Sequence, residues 1–314
     1  MPPPPGSRSP IAPGRPVPGL SKPSPAFQKP ATPKQSSGQS GLEVSSTISQ
    51  FRSGGLNHLG RGVILAGKPG IGKSSFVAQL PGVLFVCDPL ETGILDLIDK
   101  GRVSLSRDQV LVAPTWSSLI LILSEIANCP TNVQSVVLES YGAFELMCME
   151  HVCKDRWRDD FSNTGFFNYQ NGPKSCSAKE IPELTRVLQK IRSKGIHVFI
   201  TAHTAVKTQK NVEGVGYEAE VVACQSVEMW QVLERWAECI IFMIYQQTLE
   251  KASDGKQKAK EIVPSFVCHR TGVYPCKNKW GINHFINLDG KDSTECYQAL
   301  CEAGGLDPTT FRNL

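Results

Sequence analysis

The segment AGKPGIGKSSF, Ala66 to Phe76, lies between the apolar run GVIL and the helix-like VAQL. It satisfies the pattern G-x-x-x-x-G-K-S/T completely. Glycines let successive backbone N–H groups turn inward, and a lysine ammonium adds positive charge beside them. Between a strand and a helix, such a loop wraps a phosphate chain, so we expect nucleotide binding here. The expected binding residues are Gly67, Lys68, Pro69, Gly70, Ile71, Gly72, Lys73, Ser74 and Ser75.

Apolar runs of strand length alternate with helical segments along most of the chain. The runs GVIL, VVL, HVFI and CIIFMIY are continuous, as expected for strands covered on both faces. This alternation predicts an α/β fold with a mostly parallel central sheet and helices on both faces. Residues 251–314 are expected to form a C-terminal β extension with a terminal helix. The segments YQNGPKS and Lys207 to Gln225 are expected to be mobile, either as segments that become ordered on binding or, equally, as ordinary loops.

Composition changes sharply near Gly41. The preceding residues are rich in Pro, Ser and Gly and carry a net charge of +5, which leaves −1 for the rest of a chain of net charge +4. We predict a disordered tail over 1–45 and one domain over 46–314. The near-neutral remainder does not indicate a nucleic-acid-binding protein, and a local basic groove is the alternative. Without a long apolar run or a secretory signal, we expect a cytoplasmic protein with no membrane partner.

Acidic residues follow two of the predicted strands. Glu139 ends SVVLE, where it and the hydroxyl of Ser74 are expected to hold Mg²⁺. The common pattern has Asp at this position, and the extra methylene of glutamate shifts the geometry. In FVCDPLET, Glu91 is the favoured group for orienting an attacking water. Asp88 is its rival, because Pro89 forces a turn directly after it.

His203 follows the strand HVFITA. At a strand end, this side chain is placed to contact the γ-phosphate or a bound water, although a structural role is an equal alternative. The expected catalytic residues are Lys73, Glu91, Glu139 and His203.

With these motifs in order, the chain resembles the RecA-type core ATPases, most closely the phage nucleotide-binding family linked with single-strand annealing and recombination. The resemblance rests on GKPGIGKSS, LFVCDPLETG, VVLES, HVFITAHT and CKNKWGINHFINL. It implies a RecA-like P-loop fold, ATP with Mg²⁺, homo-oligomers and DNA transactions. Lys279 stands where that family has arginine, which keeps the charge but loses the bidentate fork.

The segment KNKWG has two interpretations. Lys277, Lys279 and Trp280 could pair charge with a stacking face for single-stranded DNA, or Lys279 could act on a neighbouring subunit's phosphate. Alternatively, this is a turn whose tryptophan covers the core.

The leading functional hypothesis is an ATPase coupled to single-stranded DNA binding in recombination or repair. One alternative is a switch or loader that binds ATP without hydrolysis. Another is a small-molecule phosphotransferase with KDRWRDD, Lys154 to Asp160, as its lid.

Overall fold

The computed structural model describes residues 59–129, 132–210, 214, 216–251 and 257–313. The tail predicted over 1–45 lies outside these residues, as does the predicted start of the domain at 46. Within the described part of the chain, no helix combines the length and the apolar character that crossing a membrane requires.

The strands are β1 (Gly62–Gly67), β2 (Val83–Cys87), β3 (Val110–Val112), β4 (Ser135–Glu139), β5 (His197–Ala202), β6 (Thr204–Lys210), β7 (Gly216–Val222), β8 (Cys239–Lys251), β9 (Gln257–Val267), β10 (Phe285–Asn287), β11 (Leu306–Asp307) and β12 (Arg312–Asn313). The α-helices are α1 (Lys73–Val77), α2 (Gly93–Asp99), α3 (Trp116–Asn128), α4 (Tyr141–Trp157), α5 (Asn171–Ala178), α6 (Glu180–Ser193), α7 (Val227–Trp236) and α8 (Ser293–Gly304).

Eight strands form the central sheet, in the order β10-β9-β8-β1-β5-β4-β2-β3. The neighbours from β8 to β3 run parallel, whereas β9 and β10 pair antiparallel at one edge. The predicted mostly parallel sheet is therefore confirmed, and β9, β10 and α8 form the C-terminal extension.

Alternate residues of the central strands enter two separate hydrophobic clusters. Ile64 and Ala66 pack with residues of α3 to α7 on one face. Val63 and Leu65 pack with residues of α1, α2 and α8 on the other. All six residues of β1 are buried, because helices cover both faces of the sheet. The prediction of helices on both faces is confirmed.

Strand order brings three strand ends together at one edge. Since β5 lies between β1 and β4, the segments after these strands begin side by side. They carry the glycine-rich loop after Gly67, Glu139 at the end of β4, and His203 after β5. This is the carboxyl edge of the parallel sheet, where ligands bind in folds of this architecture.

Two segments expected to be mobile have regular structure. Within Lys207 to Gln225, the described residues include much of a hairpin in which β6 pairs antiparallel with β7. In YQNGPKS, Asn171 begins α5, which accepts Pro173 in its first turn because the N–H groups there have no helical partner. Among the described residues, these two segments are therefore not ordinary loops throughout, whereas ordering on binding stays a prediction.

Candidate functional site

The loop between β1 and α1 has a backbone that requires glycine. A Cβ on Gly67 would lie 2.6 Å from the carbonyl oxygen of Met243, closer than side chains tolerate. Gly72 has φ +102°, in the region that disfavours other residues. The tight turn and the close approach of β8 together explain why glycines frame this segment.

Lys73 is buried at the base of the loop. Its Nζ donates hydrogen bonds of 2.9 Å to the carbonyl oxygens of Gly67 and Lys68. It also lies 3.4 Å from Nδ1 of His203. Burial lowers the pKa of Lys73 to about 8, although the carboxylates of Glu139 and Glu91 act in the opposite direction. The ammonium thus lies among the strand ends at the sheet edge.

Ser74 and Glu139 are in direct contact, since the Ser74 hydroxyl donates to Oε1 of Glu139. The other carboxylate oxygen, Oε2, is buried and has no hydrogen-bond partner in the described part of the chain. Burial raises the pKa of Glu139, and nearby Glu91 raises it further, while Ser74 and Lys73 oppose the shift. A hydroxyl beside an unpartnered carboxylate oxygen is a donor set suited to Mg²⁺.

Glu91 and Asp88 have different environments. Glu91 accepts a 2.8 Å hydrogen bond from the hydroxyl of Ser140, the residue after β4. Asp88 uses its Oδ1 to accept from the Leu90 amide at 2.8 Å, which stabilises its own turn. Both side chains line a cavity of about 450 Å³, together with Ser140 and His203. Glu91 alone of the two also lines the cavity beside the glycine-rich loop.

His203 joins β5 to the β6–β7 hairpin. Burial lowers its pKa, the Lys73 ammonium lowers it further, and Glu91 and a hydrogen bond with the Gly67 backbone act in the opposite direction. Its carbonyl accepts a 2.8 Å hydrogen bond from the Ala223 amide, just after β7. His203 therefore links the loop region to the hairpin.

The cavity beside the loop has a volume of about 360 Å³. Its lining includes Pro69, Gly70, Gly72, Lys73, Ser74, Ser75, Glu91, Arg102, Glu139, Thr201 and His203. The four predicted catalytic residues are thus brought together at one site. A larger cavity, of about 580 Å³, lies around Trp116 and His151, away from the loop.

Arg102 lines this cavity but was missed by the sequence analysis. The sequence signal for it was KGR, residues 100–102, directly after a helical segment. The glycine ends the helix and reverses the chain, which sets the position of the arginine that follows.

Lys277, Lys279 and Trp280 of the segment KNKWG lie at the amino ends of the parallel strands, opposite the edge that carries the phosphate loop. Lys277 pairs with Ile240 at the start of β8, and its Nζ donates to carbonyls of Glu234 and Arg235 at the end of α7. The Trp280 ring packs edge-on against Phe311, with centroids 5.5 Å apart. Lys279 is exposed. The structure does not bring these residues to the phosphate loop of their own chain.

A parallel sheet whose glycine-rich loop holds a buried lysine, with Ser74 contacting an acid on a nearby strand, defines a P-loop nucleotide-binding protein. The family model of the AAA domain matches residues 60–276, more than two thirds of the chain. The chain belongs to this AAA domain family. The match includes the cavity residues and ends just before Lys277. No curated protein matches the chain.

Proposed function

We propose that this protein is a cytoplasmic, Mg²⁺-dependent ATPase of the RecA type whose nucleotide state controls binding of single-stranded DNA in recombination or repair. The observation that carries the ATPase proposal is the contact of Ser74 with Glu139, whose second oxygen is buried and unpartnered among the described residues. Glu139 lines the same cavity as Lys73 and Glu91.

Each side chain has a distinct role in this proposal. The loop amides and the Lys73 ammonium bind the β- and γ-phosphates. Ser74 and Glu139 would hold Mg²⁺, which when bound offsets phosphate charge. Glu91 accepts a proton from the water that attacks the γ-phosphorus, and Ser140 orients Glu91. His203 contacts the γ-phosphate and transmits its loss to the hairpin.

The link to DNA is supported by the resemblance of KNKWG to its counterpart in RecA-type proteins and by the exposure of Lys279. Since this segment lies at the opposite edge of the sheet, Lys279 would act on the nucleotide of an adjacent subunit in a homo-oligomer. Trp280 packs against Phe311 and contributes less to a DNA surface than the exposed Lys279.

The direct test is ATP hydrolysis by the full chain, measured with Mg²⁺ alone and with single-stranded DNA, duplex DNA or RNA. We expect turnover that single-stranded DNA increases and that Lys73→Ala abolishes. Lys190→Ala, which removes an exposed lysine of α6, is the matched control and should retain wild-type turnover. Absence of any nucleotide affinity in the wild-type protein would contradict the proposal.

A second candidate function is an ATP-dependent switch or loader without hydrolysis. It is favoured by Glu139 in place of the shorter Asp and by the hydrogen bond that already engages Glu91. Tight ATP binding without turnover, under every DNA condition, would select this function. The phosphotransferase alternative gains no support, because Arg156 of its predicted lid is paired with Glu180 at 2.7 Å.

A further inference from the structure

Arg102 is held in place by the way α2 ends. Gly101 adopts φ +62°, and its amide donates to the carbonyl of Ile98 at 2.9 Å. The Arg102 amide donates to the carbonyl of Leu97, also at 2.9 Å. These two bonds form a Schellman motif, which reverses the chain and lays Arg102 against the last turn of the helix. Val103, the next residue, is buried in the core and anchors the segment.

Arg102 therefore has a fixed backbone position on the wall of the cavity beside the glycine-rich loop, where Leu97 is its neighbour. No carboxylate of the described residues lies within ion-pair distance of its guanidinium. Nearby Asp99 is already paired with Arg107 at 2.6 Å. The guanidinium is thus available to an anion in the cavity.

The charges of the cavity also favour a role for Arg102. Among the described residues, its lining carries two acids, Glu91 and Glu139, and two basic side chains besides His203, namely Lys73 and Arg102. Without Arg102, the acidic side chains would outnumber Lys73, which would weaken the attraction of the lining for a polyphosphate. Arg102 supplies half of the basic charge.

Glu91 and Arg102 lie beyond opposite ends of α2. Glu91 precedes this helix and Arg102 follows it, and the seven residues between Gly93 and Asp99 span about 10 Å. The terminal phosphate belongs beside Glu91, where hydrolysis would occur. Arg102 follows the other end of this helix, so we expect it to contact a phosphate other than the terminal one.

We infer that Arg102 is a nucleotide-binding residue whose guanidinium contacts a phosphate that ATP and ADP share. This inference rests on the proposed ATP-binding function and assigns a specific contact within it. Because the contact is made equally before and during hydrolysis, it contributes to affinity and leaves the rate of the chemical step unchanged.

The test is titration of the full-length protein with Mg²⁺-ATP and Mg²⁺-ADP, combined with steady-state kinetics. We expect Arg102→Ala to raise both Kd values about tenfold, equivalent to about 1.4 kcal/mol. We also expect kcat at saturating ATP and the thermal stability of the free protein to be unchanged. Arg102→Lys should recover part of the affinity, because lysine keeps the charge without the fork. Arg186→Ala removes an unrelated exposed arginine of α6 and should bind normally.

Wild-type Kd values in Arg102→Ala would overturn the inference while the proposed function stands. It would also be overturned if kcat fell without a change in Kd, or if lost affinity came with lost stability and no recovery in Arg102→Lys. A wild-type protein that binds neither nucleotide would instead show that the proposed function itself is wrong.

Discussion

Ser140 donates a 2.8 Å hydrogen bond to Glu91, so the residue after β4 holds a carboxylate that follows β2. These two strands are neighbours in the sheet, with Cys87 opposite Glu139. The contact therefore depends on strand order, and it fixes the side chain that we propose as the general base.

Replacing Glu91 should separate binding from hydrolysis. We expect Glu91→Gln to lower kcat by about 10²- to 10⁴-fold, because the amide cannot accept the proton of the attacking water. ATP affinity, measured by titration, should change little. Asp88→Asn is the matched control, since its amide oxygen can still accept from the Leu90 amide. Loss of turnover in Asp88→Asn with normal turnover in Glu91→Gln would instead assign the base to Asp88.

ATP affinity should depend on pH through Lys73. In the free protein the pKa of Lys73 is about 8, so the side chain is positively charged below that pH and loses its charge above it. Phosphate binds the charged form, so the Kd for ATP should be nearly constant from pH 7 to 7.5 and rise above pH 8 by up to tenfold per unit. Titrations from pH 7 to 9.5 measure this, and a flat profile would show that the lysine charge is not required.

Glu139 should determine the dependence on Mg²⁺. We expect Glu139→Gln to bind ATP in the presence of EDTA as the wild type does, because the phosphate contacts of the loop remain. The gain in affinity on adding Mg²⁺ should fall at least tenfold, since a neutral amide is a poorer ligand than a carboxylate. Comparing Kd values with and without Mg²⁺ tests this. An unchanged gain would remove Glu139 from the proposed metal site.

Lys279 should affect turnover only through another subunit. We expect Lys279→Arg to raise kcat several-fold in an oligomer, because guanidinium binds phosphate oxygens bidentately. The increase should disappear when the protein is diluted until it is monomeric, which sedimentation can monitor. A rate equal to or below that of the wild type would contradict a role for Lys279 on a neighbouring nucleotide.

Trp280 distinguishes a core role from a DNA role. The half-buried ring packs against Phe311, so Trp280→Ala should destabilise the fold by about 2 to 4 kcal/mol, measured by denaturant unfolding. Tyr169→Ala, at a ring that is 85% exposed, should change stability by no more than about 0.5 kcal/mol. If Trp280→Ala kept its stability but lost affinity for single-stranded DNA, the predicted stacking contact would be favoured instead.

The sheet could be predicted because its strands are buried on both faces. Runs such as HVFITA in β5 are apolar throughout, and every residue of that strand is buried. The β6–β7 hairpin was not predicted, because TAVKTQK in β6 is polar and largely exposed. Such a hairpin depends on pairing between strands, which a local hydrophobic pattern does not encode.

The residues of the candidate site also differ in how far the sequence predicts their positions. The spacing of the residues in the glycine-rich loop predicts the position of Lys73, because the whole loop is one continuous segment of the sequence. The choice between Glu91 and Asp88 depended on the turn around Pro89, and Ser140 comes from a distant strand. The environment of Trp280 depended on Phe311, which lies far along the sequence. Contacts between remote segments were therefore the part that the sequence did not reveal.

The two hydrogen bonds from Lys73 to its own loop have a consequence for ligand capture. The carbonyls of Gly67 and Lys68 act as placeholders, and they keep the ammonium at the base of the loop before any anion arrives. On nucleotide binding, the ammonium can exchange these carbonyl partners for phosphate oxygens. Because no mobile segment has to be ordered first, the entropic cost of binding stays low. A loop whose lysine is already held near its bound position favours rapid, reversible binding of the nucleotide.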